Sequence, residues 1–129
     1  FIQQNFCQWA IIRPGGLIDH LRSPLKWFSS ESVVNDCSSI INLIHTEDVA
    51  RFIYWLLHTP QSKKIFHLTT NESHTKREFY DDLFSHFNLA LPKFKEGKIR
   101  KVIASQIGQT AFLLKYPSIL DFLKSNQVK

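Results

Sequence analysis

The stretch INLIHTEDVARFIYWLL, Ile41 to Leu57, constrains this chain more than any other. It passes from apolar, β-branched sequence into a helical pattern with no turn residues between. Ile40 to Ile44 is short and apolar, the composition of a buried strand. From Val49 onward the apolar residues fall at Val49, Phe52, Ile53, Leu56 and Leu57, the i, i+3, i+4, i+7 spacing of one helix face, and Ala50 and Trp55 broaden that stripe. Thr46 is the expected N-cap, because its hydroxyl can accept from an unpaired first-turn N–H. Glu47 and Asp48 place negative charge at the positive end of the helix dipole. Arg51 lies one turn away and can pair with either acid. The pattern predicts a strand over 40–44, a one-residue corner at His45 and a helix over 47–58. His45 then stands at the carboxyl end of a strand, where α/β sheets place ligands.

The remaining segments extend this pattern. Residues 7–13, CQWAIIR, read as a strand that Pro14, Gly15 and Gly16 break sharply. Residues 17–38 read as a long excursion with one helical turn. A surface turn over 59–64 separates the helix from a strand over Ile65–Thr70. Thr75 and Glu78 form a capping box for a helix that buries Phe79, Leu83, Phe84 and Phe87, with Asn88 closing it in the left-handed conformation. A strand is predicted over Ile99–Ile103, an undecided stretch over 105–114, and a last short helix after Pro117. Alternating strands and helices give an α/β class, with only about four strands for the sheet.

Composition narrows the rest. With 129 residues, 43% of them hydrophobic and eleven phenylalanines, the chain can bury the core of one domain and is not disordered. No apolar run approaches the ~20 residues of a membrane span. Cys7 and Cys37 have no zinc or redox spacing and read as reduced thiols of a cytoplasmic protein. The net charge of +5 comes largely from Lys93 to Lys101, KFKEGKIRK. This stretch lacks the aromatic interleaving of a single-strand binder, so a solvated loop is favoured over a nucleic-acid patch. The six histidines have no ligand-pair spacing on a helix face, and no metal is expected. No Gly-x-Ser-x-Gly elbow is present. Gly15 and Gly16 either admit a ligand close to the backbone or simply make a turn. His45 is either satisfied by local backbone or faces a ligand cleft. Asp48 reads as a helix-start residue before a catalytic acid.

The order of the pieces resembles a known family. AIIRPGGLI, then INLIHTEDVARFIYWLL, then the strand and capped helix of IFHLTTNESHTKREFYDDLF, is similar to the C-terminal half of an extended short-chain dehydrogenase/reductase of the NAD-dependent epimerase/dehydratase group. The tail KYPSILDFL resembles the ending of a subgroup of small epimerase-like proteins. The resemblance implies that residues 1–129 are a single, partial domain: the C-terminal portion of a Rossmann-like NAD(P)-binding fold with its substrate-binding subdomain. It implies that Arg13, Pro14, Gly15 and Gly16 flank a nicotinamide, and that Asn42 and His45 face a small-molecule substrate. In the family a Tyr acts as acid/base, a Lys lowers its pKa, and NAD or NADP carries hydride.

The chain departs from the family pattern in several places. It contains neither the Gly-rich phosphate loop nor the Tyr-x-x-x-Lys pair, so no catalytic residue is assigned. Neither tight dinucleotide binding nor turnover is expected of the chain alone. Ile41-Asn42-Leu43 stands where sugar-nucleotide epimerases often carry Arg-Asp-Tyr, which argues against a nucleotide-sugar substrate. The absence of any Met, with Phe1 as first residue, fits a fragment. A half domain of this kind is expected to expose apolar surface and to self-associate. Two rival readings are a non-catalytic cofactor-sensing or partner-binding relative and a basic nucleic-acid-binding module.

Overall fold

The computed structural model describes residues 8–59, 65–99, 105 and 110–125. The elements in chain order are β1 (Ile11–Pro14), β2 (Gly16–Ile18), α1 (Pro24–Trp27), β3 (Val33–Val34), β4 (Leu43–His45), α2 (Thr46–His58), β5 (Ile65–Leu68), α3 (Lys76–His86), β6 (Lys93–Phe94) and α4 (Ile119–Ser125). All three strand pairs are parallel: β1 with β5, β2 with β4, and β3 with β6. Parallel pairing needs crossovers, and α2 is such a crossover, leaving β4 and returning as β5.

The first strand ends at Pro14, as the sequence predicts, but the chain does not turn back at Gly15 and Gly16. They are where it changes partner. Gly15 N–H still donates to Leu68 O on the β5 side, at 2.9 Å, whereas Gly16 N–H donates to Asn42 O at 2.8 Å. Leu43 is paired with Gly16, and its carbonyl also accepts from Thr70 N–H at 2.8 Å. The start of β4 therefore lies in a fork between β2 and the continuation of β5. The fork leaves no space for a side chain at its vertex. A Cβ on Gly15 would lie 2.7 Å from Asn42 O and 2.8 Å from Thr69 Cγ2.

Two apolar clusters flank this fork. Ile44, Phe52, Phe66, Leu68 and Phe112 fill the space between α2 and the strands. Ile18, Ile41 and the buried faces of α3 and α4 form the other cluster, with Phe79, Leu83, Ile119 and Leu123 at its centre. The capping box at Thr75 and Glu78 is present, and Asn88 takes a φ of 53° after α3, as the sequence predicts.

The strand-to-helix unit differs from expectation in three ways. The strand is Leu43–His45, and Ile40 instead bridges Thr75. There is no corner residue: His45 ends the strand and is itself the N-cap, its ring accepting from Glu47 N–H. Thr46 is freed from capping and donates its hydroxyl to Asp19 Oδ2 at 2.9 Å. An imidazole nitrogen can cap as a hydroxyl does, and here it sits one residue closer to the sheet. Third, α2 buries a narrower stripe than its periodicity implies. Phe52 is fully buried, but Ile53 is 42% and Leu57 78% exposed, and Ala50 also faces outward. The predicted excursion over 17–38 holds β2 and β3 besides its helical turn, and β6 forms where no strand was expected. Of the strand predicted over Ile99–Ile103, Ile99 is exposed and irregular, and the other positions lie outside the described residues, as do Cys7 and most of the 59–64 turn.

Two carboxylates fix the C-terminal segment. Asp48 is fully buried in the first turn of α2, and it accepts from Lys115 N–H at 2.8 Å, Tyr116 N–H at 2.9 Å and Arg51 at 2.8 Å. Glu72 accepts from the Ser118 hydroxyl and from the N–H groups of Ile119 and Leu120, and so caps α4 from outside its own helix.

Two predictions follow from these contacts. Gly15→Ala should cost about 1–3 kcal/mol in denaturant unfolding, because backbone at Asn42 must move. Gly16→Ala should cost less, because the close atom there is the mobile end of the Leu43 side chain. Equal losses would contradict the fork. Asp48→Ala should cost about 2–4 kcal/mol, since it leaves two part-buried N–H groups and Arg51 without their acceptor. A loss within 0.5 kcal/mol, the range of ordinary surface substitutions, would contradict that role.

Candidate functional site

The carboxyl ends of β2 and β4 open onto a cleft of about 580 Å3. Its floor is His45. The ring is 5% exposed, stacks on Tyr116 at 3.9 Å between centroids, and meets Phe122 edge-on at 4.5 Å. Burial holds its pKa below the usual histidine value, against the raising influence of Asp48, Glu47 and Asp19. Because Nδ1 accepts from Glu47 N–H at 3.1 Å, the neutral ring carries its proton on Nε2.

Asp19 and Glu47 form the walls. Asp19 follows β2 directly. Its Oδ1 accepts from the N–H groups of Leu21 and Arg22, both at 2.8 Å, and its Oδ2 from the Thr46 hydroxyl. Burial would raise its pKa, but these hydrogen bonds outweigh it and hold the carboxyl below its usual value. Glu47 accepts from Lys115 Nζ at 2.7 Å and from the Tyr116 hydroxyl at 3.1 Å. The Lys115 contact is the main reason its pKa is lowered. The cleft is thus bounded by two carboxylates and by the imidazoles of His45 and His20.

Of the residues assigned to a cofactor or substrate from sequence, His45 alone lines this cleft; Thr46 and Glu47, read there as helix-start residues, line it too. Asn42 lies earlier in the fork: its carbonyl accepts from Gly16 N–H and its side-chain amide donates to Ile40 O at 3.4 Å. Arg13 and Pro14 are exposed at the carboxyl end of β1, where Pro14 is in register with Leu68. The N–H groups of Gly15 and Gly16 are spent on Leu68 and Asn42, so this pair offers no cradle of free donors to a phosphate. Asp19 and Tyr116 were missed in the sequence. Tyr116 carried a signal in the Lys-Tyr-Pro-Ser tail, but nothing local announces that 68 residues along the chain it would be hydrogen-bonded to Asp48.

Other features were also weighed. Cys37 is a buried free thiol that touches Arg77 at 3.2 Å. Part of the basic stretch is paired, Lys93 with Glu31 and Arg77 with Glu96. Among the described residues no group of His, Cys, Asp and Glu could hold a metal ion, and no helix is long and apolar enough to cross a membrane.

Comparison with known proteins places this geometry. No protein-family profile matches the chain. Protein YeeZ of Escherichia coli K12 is 28% identical over 115 residues, covering 85% of this chain and 42% of YeeZ, and the same protein of the O157:H7 strain gives the same values. The chain thus spans about two fifths of the length of the curated relatives it matches. Among solved structures it is similar to a conserved protein of unknown function from Silicibacter pomeroyi, with a TM-score of 0.71 and 16% identity over 90% of this chain and 46% of that one. A human epimerase family protein solved with NADPH gives 0.69 and 15%, over 90% and 47%. A UDP-N-acetylglucosamine 4-epimerase from Methanobrevibacter ruminantium gives 0.67 and 11%, over 95% and 46%. The chain therefore has the α/β fold of the C-terminal part of these Rossmann-like epimerase and reductase structures.

Proposed function

We propose that this chain is the substrate-side portion of an NAD(P)-dependent epimerase- or dehydratase-like oxidoreductase whose dinucleotide site and acid/base pair lie outside these 129 residues. The observation that carries this reading is the parallel fork at Gly15. Strands that part company in an open parallel sheet leave a crevice at their carboxyl ends, and ligands of such folds bind there. Here the fork sets Pro14 and Gly15 at one strand end, and Ile18, Asp19 and His45 at the other.

The residues present fit a supporting part in such chemistry. NAD(P), when bound, accepts or donates the hydride. The glycine pair supplies no free backbone cradle for its phosphates, since both N–H groups are engaged. Its contribution is shape: a close-packed strand end beside the cofactor and a cleft with fixed acceptors for substrate. Asp48 and Glu47 act by holding Lys115 and Tyr116 in place, and His45 by capping α2. The outward apolar side of α2, with Ile53, Tyr54 and Leu57, supports the same reading, because a surface of this kind fits against more protein.

The test compares two proteins. Reading the coding sequence upstream of Phe1 in frame should give a Gly-rich strand-to-helix turn and a Tyr-x-x-x-Lys. The longer protein should then bind NADH or NADPH stoichiometrically by fluorescence titration, while the 129-residue chain should not. Stoichiometric binding by the short chain would overturn the division of labour. A longer protein with the Gly-rich turn but without Tyr-x-x-x-Lys would make it a cofactor-sensing relative.

A further inference from the structure

The cleft at the ends of β2 and β4 contains a polar atom that the fold leaves unused. His45 is nineteen-twentieths buried, yet among the described residues its ring makes one hydrogen bond, at Nδ1, the acceptor from Glu47 N–H. The proton of the neutral ring is on Nε2, and among the described residues no acceptor meets it. No enclosed side-chain polar atom among those residues lacks a partner. Nε2–H is therefore not sealed in; it opens to the cleft that the ring lines.

The surroundings define what could meet that donor. The cleft, at about 580 Å3, is of the size that holds a small molecule. Asp19 and Glu47 bring carboxylate oxygens to its walls, and each carboxylate retains acceptor capacity beyond its present bonds. No Lys or Arg side chain lines it. A phosphate or carboxylate ligand would meet two carboxylates and no Lys or Arg, with His20 the other imidazole of the lining, and a buried anion without a charged partner is costly. An ammonium gains little, because Lys115 already answers the charge of Glu47 at 2.7 Å and Arg22 already brings positive charge to Asp19. A neutral ligand with several hydroxyls fits both demands: an oxygen to accept from His45 and hydroxyls to donate to the carboxylates. Leu21 and Phe122 supply apolar surface for its carbon face.

We propose that this cleft binds a neutral polyhydroxylated small molecule, a sugar or polyol without phosphate, through His45 Nε2–H and the carboxylates of Asp19 and Glu47. This deepens the proposed function by naming its substrate class, and it rests on that reading for the role of the site, though not for its binding chemistry.

The experiment follows the histidine ring nitrogens by NMR in the 15N-histidine-labelled 129-residue chain. D-Glucose and D-glucose 6-phosphate are the probes. His45 should show the Nε2–H tautomer, and glucose should move its Nε2 resonance saturably. Glucose 6-phosphate should bind at least tenfold more weakly. Asp19→Asn, which keeps the shape of the side chain, should weaken the glucose titration several-fold without changing the tautomer. An Nδ1–H tautomer, tighter binding of the phosphorylated sugar, or no saturable shift up to about 100 mM glucose, a hundredfold above a millimolar site, would overturn the proposal. The cofactor titration of the longer protein is independent. If it succeeds and glucose fails, only the substrate class falls; if glucose binds and the cofactor does not, only the oxidoreductase reading falls.

Discussion

Asp48 is the charge on which the arrangement of the candidate site depends. A fully buried carboxylate is tolerated only when its lone pairs are met and a cation is near. Here the donors come from two places that are far apart in sequence: Arg51, one turn along the same helix, and the backbone of Lys115 and Tyr116. Satisfying Asp48 therefore draws the C-terminal segment onto the start of α2. Once there, Tyr116 stacks on His45, Lys115 reaches Glu47, and α4 starts close enough for Glu72 to cap it. The polar contacts do not rank equally. The surface pair between Lys115 and Glu47 contributes little by itself. The buried acceptor at Asp48 is costly to remove, so it dictates where the segment lies.

The same residues explain why the strand-to-helix unit has no turn. A turn would need Gly, Asn or Pro to reverse the chain, and none is present between Ile41 and Leu57 apart from Asn42 within the strand approach. Instead His45 serves two elements. Its backbone pairs with Ile18 across the sheet while its ring closes the first turn of α2. That double duty fixes the ring: its Nδ1 is committed to the cap, and the ring lines the cleft. The local capping chemistry and the character of the site are one constraint.

Much of this was legible in the sequence where the signal is local. The α2 and α3 helices, the capping box at Thr75 and Glu78, the left-handed Asn88 and the helix after Pro117 all follow from spacing and end chemistry within about a turn. The errors lie where tertiary contact overrules local preference. Thr46 has the better capping side chain by propensity, yet Asp19 claims its hydroxyl. Ile53 and Leu57 have core-facing periodicity, yet the strands beneath α2 cover only a narrow stripe, so the two stay exposed. The short strands β3 and β6 have two residues each, too few to show alternation. The cleft was visible only through His45. Asp19 and Tyr116 join it by contacts 27 and 69 residues apart in the chain, Thr46 with Asp19 and Tyr116 with Glu47, and no window of sequence contains both ends of either bond.

The glycine pair shows why spacing alone misassigns chemistry. Two adjacent glycines after a strand invite a phosphate-loop reading, because Gly lets backbone N–H groups approach an anion. The requirement for Gly at position 15 is real, but what approaches it is the protein's own chain: Asn42 O and Thr69 Cγ2 occupy the space a Cβ would need. The N–H groups that could have bound phosphate are used to divert one strand from β5 to β4. Diverting the strand opens the sheet at its carboxyl end, at the crevice that Asp19 and His45 line. On the proposed reading, recognition falls to those side chains at the strand ends and not to the N–H groups of the glycine pair. A neutral hydroxylated ligand suits such a site: it can exchange hydrogen bonds with carboxylates and an imidazole N–H without asking the fold for a positive charge that the cleft walls do not carry.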